Sequence, residues 1–487
     1  MPEDSRNSVP KKQSVVNSQQ SLMPVTNVQL PMTFSLIDTH CHLEMDEFNP
    51  DRDMVINRAL HAGVQTMITI ASDLDSNIKG LKLSKKYDYV FSSIGIHPHD
   101  AKDFSDEVYK KLQAWAARDK VVAIGETGLD YHYDNSPREV QKDVFRKHLA
   151  LSKETGLPVI IHSREAQRDT LDIISESGVN KGVFHCFSGD TDMSKKGMEM
   201  GFLISIAGPV TFRNAKRLRE IAKAIPDEYL LIETDAPYLA PEPFRGKRNE
   251  PSYILHTAKL LAELRGITLE DLARITTLNA KRLFNIGRLP EKGEIAYKIR
   301  NTLYLNLTNR CTNECIFCVR FHTDYVKGHN LRLSDEPTEE ELKAAIKDPA
   351  QYKEVVFCGY GEPLLRLDVV KHVASWIKKK KGKVRINTNG HANLIYKRNI
   401  LPELHGLVDS MSISLDAHDE VTSNNICKPT FENAFQGVLS FIKEARKYIP
   451  EVRVTVVTVK GVDIEKSRKL AEDLGVDFRV RKLDVVG

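Results

Sequence analysis

The chain has 487 residues, more than one hydrophobic core usually organises, so two or more domains are expected. With 41% hydrophobic and 28% charged residues and no apolar run near the roughly 18 residues a spanning helix needs, it reads as a soluble protein without a membrane segment. A net charge of +4 excludes a global positive field for nucleic acid, and seven cysteines, three of them crowded at Cys311, Cys315 and Cys318, point to metal ligation in a reducing, cytoplasmic compartment rather than to disulfides.

Residues 1–34 are rich in Ser, Asn, Gln, Pro and Val without periodicity and lack the continuous apolar core of a secretory signal. A disordered arm is expected there, most of which an internal start at Met32 would remove. From Ser35 to about Asn285, short β-branched runs alternate with longer amphipathic stretches, the pattern of repeated βα units and a parallel sheet. Eight runs centre on residues 36–37, 67–70, 90–94, 121–124, 159–161, 182–184, 202–206 and 230–232. Eight such strands fit a closed (βα)8 TIM-type barrel over 35–286, in the α/β class. One helix shows its ends in the sequence: Ser136 with Glu139 as a capping box, Pro137 at the first helical position and Gly156 after the last turn. Its buried stripe is expected to be Val140, Val144, Phe145 and Leu149.

His40 and His42 follow the first run, and Glu126, His162, His185 and Asp235 follow the fourth, fifth, sixth and eighth. In a barrel these points converge on one mouth. Four imidazoles and two carboxylates suit two divalent ions about 3.5 to 4 Å apart, with Glu126 as the bridge, that lower the pKa of a shared water and clamp a phosphoryl group. The imidazole content suits Zn, Mn, Ni or Fe, with weakly held Mg as a further option.

The stretches Ile37-Asp-Thr-His-Cys-His-Leu43, Ile96-His-Pro-His99, Gly125-Glu-Thr-Gly-Leu-Asp130, Ile161-His-Ser-Arg164, His185-Cys-Phe-Ser-Gly189 and Glu233-Thr-Asp-Ala-Pro-Tyr238 together resemble the TatD family of metal-dependent deoxyribonucleases. The resemblance implies a barrel of the metallo-dependent hydrolase kind, with those six residues as metal ligands and Asp235 also taking the proton of the attacking water. It makes His97 a candidate phosphate contact ahead of His99. Arg245, Lys247 and Arg248, in the family-like stretch Phe244-Arg-Gly-Lys-Arg-Asn-Glu-Pro251, are candidate phosphate cations or simply an exposed charged loop. Cys41 and Cys186 beside the ligands read as small buried thiols. DNA is the expected substrate. The alternative is an aminoacyl ester on tRNA, because the same ions would activate water against a carbonyl.

Residues 287–300, polar with Pro290 and Gly293, read as a linker, and a second βα series spans 301–487. Six runs, at 303–307, 355–357, 384–386, 411–415, 452–459 and 478–480, suggest a partial (βα)6 barrel open on one side. Lys378 to Lys381 before Gly382 read as a solvated helix end facing the macrodipole. Cys311-Thr-Asn-Glu-Cys315-Ile-Phe-Cys318 supplies three thiolates directly after the first of these runs, which on a four-iron cluster leaves one iron free. Zinc with Cys358 as a fourth ligand is the bland alternative. The spacing, with Phe317 before the last cysteine, resembles the radical SAM superfamily. That resemblance implies a [4Fe-4S] cluster, S-adenosylmethionine, an external one-electron donor and a 5′-deoxyadenosyl radical acting on a substrate that cannot be read here. It also makes Cys358-Gly-Tyr-Gly-Glu-Pro363, with Gly359, Gly361 and Glu362, the grip on the methionine amino group. Asn387, Ser414 and Asp416 become the softer candidates for ribose and carboxylate contacts. A cluster-carrying regulator of the hydrolase is the non-catalytic alternative, and no stable protein partner is readable.

Overall fold

The computed structural model describes residues 34–483; the arm expected at 1–34 lies outside them except for Phe34. Eight parallel strands form the first sheet in sequential order: β1 Leu36–Cys41, β2 Val64–Thr69, β3 Val90–Ile94, β4 Val121–Asp130, β5 Val159–Arg164, β6 Gly182–Phe184, β7 Phe202–Ile206 and β8 Leu230–Ile232. The ring closes at the ends of β8 and β1, where the amide of Asp235 donates to the His40 carbonyl (2.9 Å) and that of His42 to the Ala236 carbonyl (2.7 Å). Buried Asp38 reinforces the seam by accepting from the amide (3.0 Å) and hydroxyl (2.6 Å) of Thr234. Barrel and helices enclose one apolar core that includes Leu36, Met67, Phe145, Ile161, Phe184 and Phe202.

The helix Arg138–Thr155 stops at Gly156 in the left-handed region (φ 71°), as expected, and buries Val144, Phe145 and Leu149 while Val140 stays half-buried. Its start differs. Pro137 lies one residue before the helix, and Ser136 does not cap it: the hydroxyl donates to the His99 carbonyl (2.7 Å) and accepts from the Lys102 amide (3.1 Å). Tertiary bonding to the loop after β3 takes the oxygen that a capping box would use.

The second sheet has seven strands in the order β17-β16-β15-β14-β13-β10-β9. β10 Thr302–Asn306, β13 Glu354–Cys358, β14 Val384–Thr388, β15 Ser410–Ser414, β16 Glu451–Val457 and β17 Asp477–Arg481 are the six expected strands, all parallel; β11 Tyr325–Val326 and β12 His329–Asn330 form a separate two-stranded hairpin. β9 Ala296–Ile299 was not expected: it falls within the stretch read as a linker and pairs antiparallel to β10. β9 and β17 are not paired with each other, so this barrel stays open. One side packs on helices through Leu303, Leu305, Val355, Phe357, Ile386 and Ile413. Alternation along the strands then turns Tyr304, Arg385, Asn387, Ser412 and Arg479 to the other side. Lys378 and Lys379 form the last turn of the helix Leu367–Lys379, Lys378 pairing with Asp409 (2.6 Å).

The hairpin docks on the first barrel at the N-terminal ends of its strands, opposite the mouth. Asp227, just before β8, receives Arg265 and Lys327 (2.7 Å for the lysine), the Lys327 carbonyl accepts from Arg274 (2.8 Å), and Arg282 reaches the Thr323 hydroxyl (2.8 Å). No helix of the described residues is long and apolar enough to cross a membrane.

Candidate active sites

The end of β1, the middle of β4 and β5, and the loops after β6 and β8 bring all six expected donors together. Glu126 stands at the centre. One oxygen lies 3.3 Å from His40 Nε2; the other lies 2.9 Å from His162 Nδ1 and 2.6 Å from His185 Nε2. Asp235 Oδ1 lies 3.6 Å from His40 Nε2 and 3.5 Å from His42 Nε2. Its backbone sits in the left-handed region (φ 58°), which a short polar side chain tolerates best after glycine. His40, His42 and Glu126 place donor atoms within 4.8 Å of one another, and so do His97, Glu126 and His162, so the Glu126 carboxylate belongs to both groups.

The donor chemistry fits cations better than it fits protons. His40 Nε2 and His42 Nε2 face each other at 3.3 Å, and the His40 and His185 rings stack at 4.0 Å. His40 Nδ1 and His185 Nδ1 are buried without a hydrogen bond; for the latter, Glu233 lies 3.3 Å away but off the bonding direction. Burial lowers the pKa of His40, with the His185 charge as the next cause. Burial alone would raise Glu126, yet His185, His97 and His40, together with the His162 bond, hold its carboxyl well below the usual range. The site is therefore built to keep a carboxylate ionised among imidazoles.

Three carboxylates were not singled out by sequence reasoning, two of them inside the quoted motifs and Glu44 one residue beyond the first. Asp130 accepts from His162 Nε2 (3.0 Å) and His99 Nε2 (3.1 Å), Glu233 accepts from the Cys186 amide (2.6 Å), and Glu44 lies 3.4 Å from His42 Nδ1, a nitrogen that also bonds the Ile70 carbonyl (3.0 Å). The only sequence signal for Asp130 and Glu233 is their place in the same strand-end motifs as Glu126 and Asp235. Such partners orient metal-binding imidazoles.

His97, expected to meet a phosphate, is drawn inward: its Nε2 is 3.5 Å from Glu126, and burial pushes its pKa down to about 4, leaving a neutral imidazole beside His162. A cavity of about 580 Å³ opens over His162, His185 and Asp235, and its cations are Arg164 and Arg217. The three expected cations are elsewhere. Arg248 is engaged by Asp51 (2.8 Å), Arg245 stacks on Phe212 and Lys247 lies over Phe244. Cys41 is buried, its thiol donating to the Ile68 carbonyl, while Cys186 lines the cavity.

In the second domain, Cys311, Cys315 and Cys318 follow β10 on one half-buried loop. Arg320 brings positive charge to all three, closest to Cys318, and Asn389 Nδ2 donates toward Cys311 Sγ (3.7 Å). A cation and N–H donors around three sulfurs suit an anionic iron–sulfur cluster. Cys427, remote in sequence, belongs to a buried cluster against which Cys315 packs, and the cysteine loop runs beside it: the Glu314 amide donates to the Cys427 carbonyl (3.0 Å) and that of Ile316 to the Ile426 carbonyl (2.8 Å). Cys358 instead neighbours Asn387 Nδ2 (3.5 Å).

The glycine-rich turn after β13 lies against this loop. A Cβ on Gly361 would stand 2.2 Å from the Arg310 carbonyl, and one on Gly359 2.5 Å from Asn306 Oδ1, so only glycine permits the approach. Buried Glu362 accepts from the Leu364 and Asn389 amides (3.0 and 2.8 Å) and from the Thr388 hydroxyl (2.8 Å). Burial outweighs these bonds and pushes its pKa up to about 7, the mark of a carboxylate that lacks a cation. An ammonium group would supply one. Asn387 is bonded to Arg385 (2.8 Å), Ser414 is half-buried at the end of β15, and burial pushes Asp416 up to about 6.

Comparison with known proteins finds both families that the sequence resembles. Residues 37–285 match the family TatD related DNase, and residues 305–474 match the Radical SAM superfamily. The uncharacterized metal-dependent hydrolase YabD of Bacillus subtilis is 46% identical over 254 residues, covering 52% of this chain and all of that protein. The 3′-5′ ssDNA/RNA exonuclease TatD of Erwinia tasmaniensis is 37% identical over 259 residues, again 52% of this chain and all of that one. Among solved structures, the TatD homolog YjjV of Escherichia coli K12 superposes with a TM-score of 0.50 at 32% identity, covering 52% of this chain and 98% of that one. The chain thus belongs to the TatD related DNase family of metal-dependent hydrolases through its barrel, and carries a radical SAM superfamily domain after it.

Proposed function

We propose that the barrel hydrolyses phosphodiester bonds of nucleic acid, DNA first, with two divalent ions held by His40, His42, Glu126, His162, His185 and Asp235. The observation that carries this reading is the double membership of the Glu126 carboxylate in two donor groups. Such ions, when bound, generate a nucleophile from water near neutral pH and neutralise charge on a phosphoryl group. Glu126 would be shared by the two ions, Asp235 would accept a proton at Oδ1, and Asp130 holds the His162 ring. Arg164 and Arg217 in the cavity wall receive backbone phosphates. The name of the Erwinia tasmaniensis relative supports a nucleic-acid substrate.

In the second domain, Cys311, Cys315 and Cys318 hold a [4Fe-4S] cluster, and Gly359, Gly361 and Glu362 hold the methionine end of S-adenosylmethionine, with Asn387, Ser414 and Asp416 toward its ribose. Such a cluster, when bound and reduced, would supply the electron for cleavage of S-adenosylmethionine. Glu362 keeps the amino group in place, and Asn389 ties that pocket to the cysteine loop through Cys311 and Thr312.

The test is incubation of the manganese-loaded full chain with end-labelled single-stranded DNA, with RNA and with mischarged tRNA. Release of nucleotides from the single strands is expected. Deacylation of the tRNA with both strands left intact would contradict the nuclease reading and favour ester hydrolysis.

A further inference from the structure

A cavity of about 690 Å³ lies between the N-terminal face of the first barrel and the inward side of the second sheet, and neither the six barrel donors nor the three clustered cysteines line it. Its size is that of a small-molecule site. Seven of its lining side chains are cationic and three are acidic, an excess as large as the net charge of the whole chain. All three acids are engaged. Asp227 takes Arg265 and Lys327, Asp271 takes Arg274 and the Arg300 amide, and Glu354 takes Arg385. Lys223, Arg300, Lys353 and Arg479 line the cavity, and none of the four has an ion pair among the described residues.

These four come from separate elements of both domains: the barrel helix Lys216–Ala224, the turn between β9 and β10, the residue before β13, and β17. Two of them sit on fixed backbone, since the Arg300 amide donates to Asp271 (3.0 Å) and the Lys353 amide to the Asn301 carbonyl (2.8 Å). Docking the domains therefore brings like charges around one space, an arrangement that an anion stabilises and its absence penalises. Lysines and arginines from several directions match the oxygens of neighbouring phosphate groups.

We propose that this interdomain cavity binds a small anion with two or more linked phosphate groups, at a site independent of the barrel metals and of the cysteine loop. The test is isothermal titration calorimetry of the full chain, without added divalent ions, using ADP and inorganic tripolyphosphate as separate probes. Hydrogen exchange over residues 296–304 and 353–358 serves as the second readout. Saturable binding is expected for at least one probe, with protection of those segments, and weakening of at least about tenfold in Lys353→Glu/Arg479→Glu but not in Lys353→Arg/Arg479→Lys. Preference for ADP would assign the site to a nucleotide, and preference for tripolyphosphate to an inorganic oligophosphate. No saturable binding, binding indifferent to the charge reversal, or protection confined to the barrel mouth would overturn the proposal.

Discussion

In the proposed barrel chemistry Glu126 is the shared ligand, and the carboxylate of Asp130 orients the imidazole beside it. Asp130 holds His162 and His99 together, and its carboxylate is kept ionised, against burial, by the His162 bond and the Tyr133 amide. Asp130→Asn should lower metal affinity by about 10- to 100-fold with the fold retained. Metal titration followed by hydrolysis assays at saturating metal would show this, and affinity equal to wild type would remove Asp130 from the site. Cys427 poses the complementary question, because it lies beside Cys315 while the cluster reading needs only three thiolates. Cys427→Ser should reconstitute with full iron and sulfide content, whereas Cys315→Ser should not. Loss of metal in both variants would point to a four-thiolate site.

At the scale of elements, the strands were legible because each is a short apolar run between helical stretches. The strand-end motifs could be placed for the same reason. β9 was not, since Ala296-Tyr-Lys-Ile299 is short and embedded in polar sequence, and only its pairing with β10 makes it a strand. The Ser136 cap failed because a local rule met a tertiary competitor. Arg248 read equally as a phosphate cation or as part of an exposed loop, because its partner Asp51 lies nearly 200 residues away in sequence. Cys427 was equally invisible beside Cys315, as sequence distance says nothing about a loop returning to the cluster. The glycine-rich turn, by contrast, follows from local sterics. Gly361→Ala would drive its Cβ into the Arg310 and Thr308 carbonyls (2.2 and 2.6 Å), displacing the chain just before Cys311. We expect S-adenosylmethionine cleavage to fall by about tenfold or more while the barrel hydrolase is unaffected, a steric cost that no small rotamer change can absorb. Anaerobic 5′-deoxyadenosine formation measures it, and wild-type turnover would contradict the tight approach.

For the whole molecule, the docking of the two domains rests on Asp227 with Arg265 and Lys327. Burial alone would raise the Asp227 pKa, but Lys327 and Arg265 lower it below the ordinary carboxylate value. A depressed folded-state pKa means that the stabilisation is fully present above the unfolded value of about 3.9 and is lost as pH falls through the folded one. Asp227→Ala should cost about 3 kcal/mol near neutral pH by removing the buried carboxylate that Arg265 and Lys327 share. Thermal midpoints of wild type and variant should converge as pH drops below about 4. A gap that stays constant from pH 7 to pH 3 would contradict the assignment. The same docking encloses the cationic cavity, so loosening it should also weaken oligophosphate binding there.

The central claim is a pair of cations joined through one carboxylate. Anomalous diffraction at the manganese edge, from crystals of the full chain soaked in that ion, separates those sites from cluster iron. Two manganese peaks about 3.5 to 4 Å apart are expected, with one Glu126 oxygen or the other on each. A single peak, or two peaks with Glu126 touching neither, would contradict it.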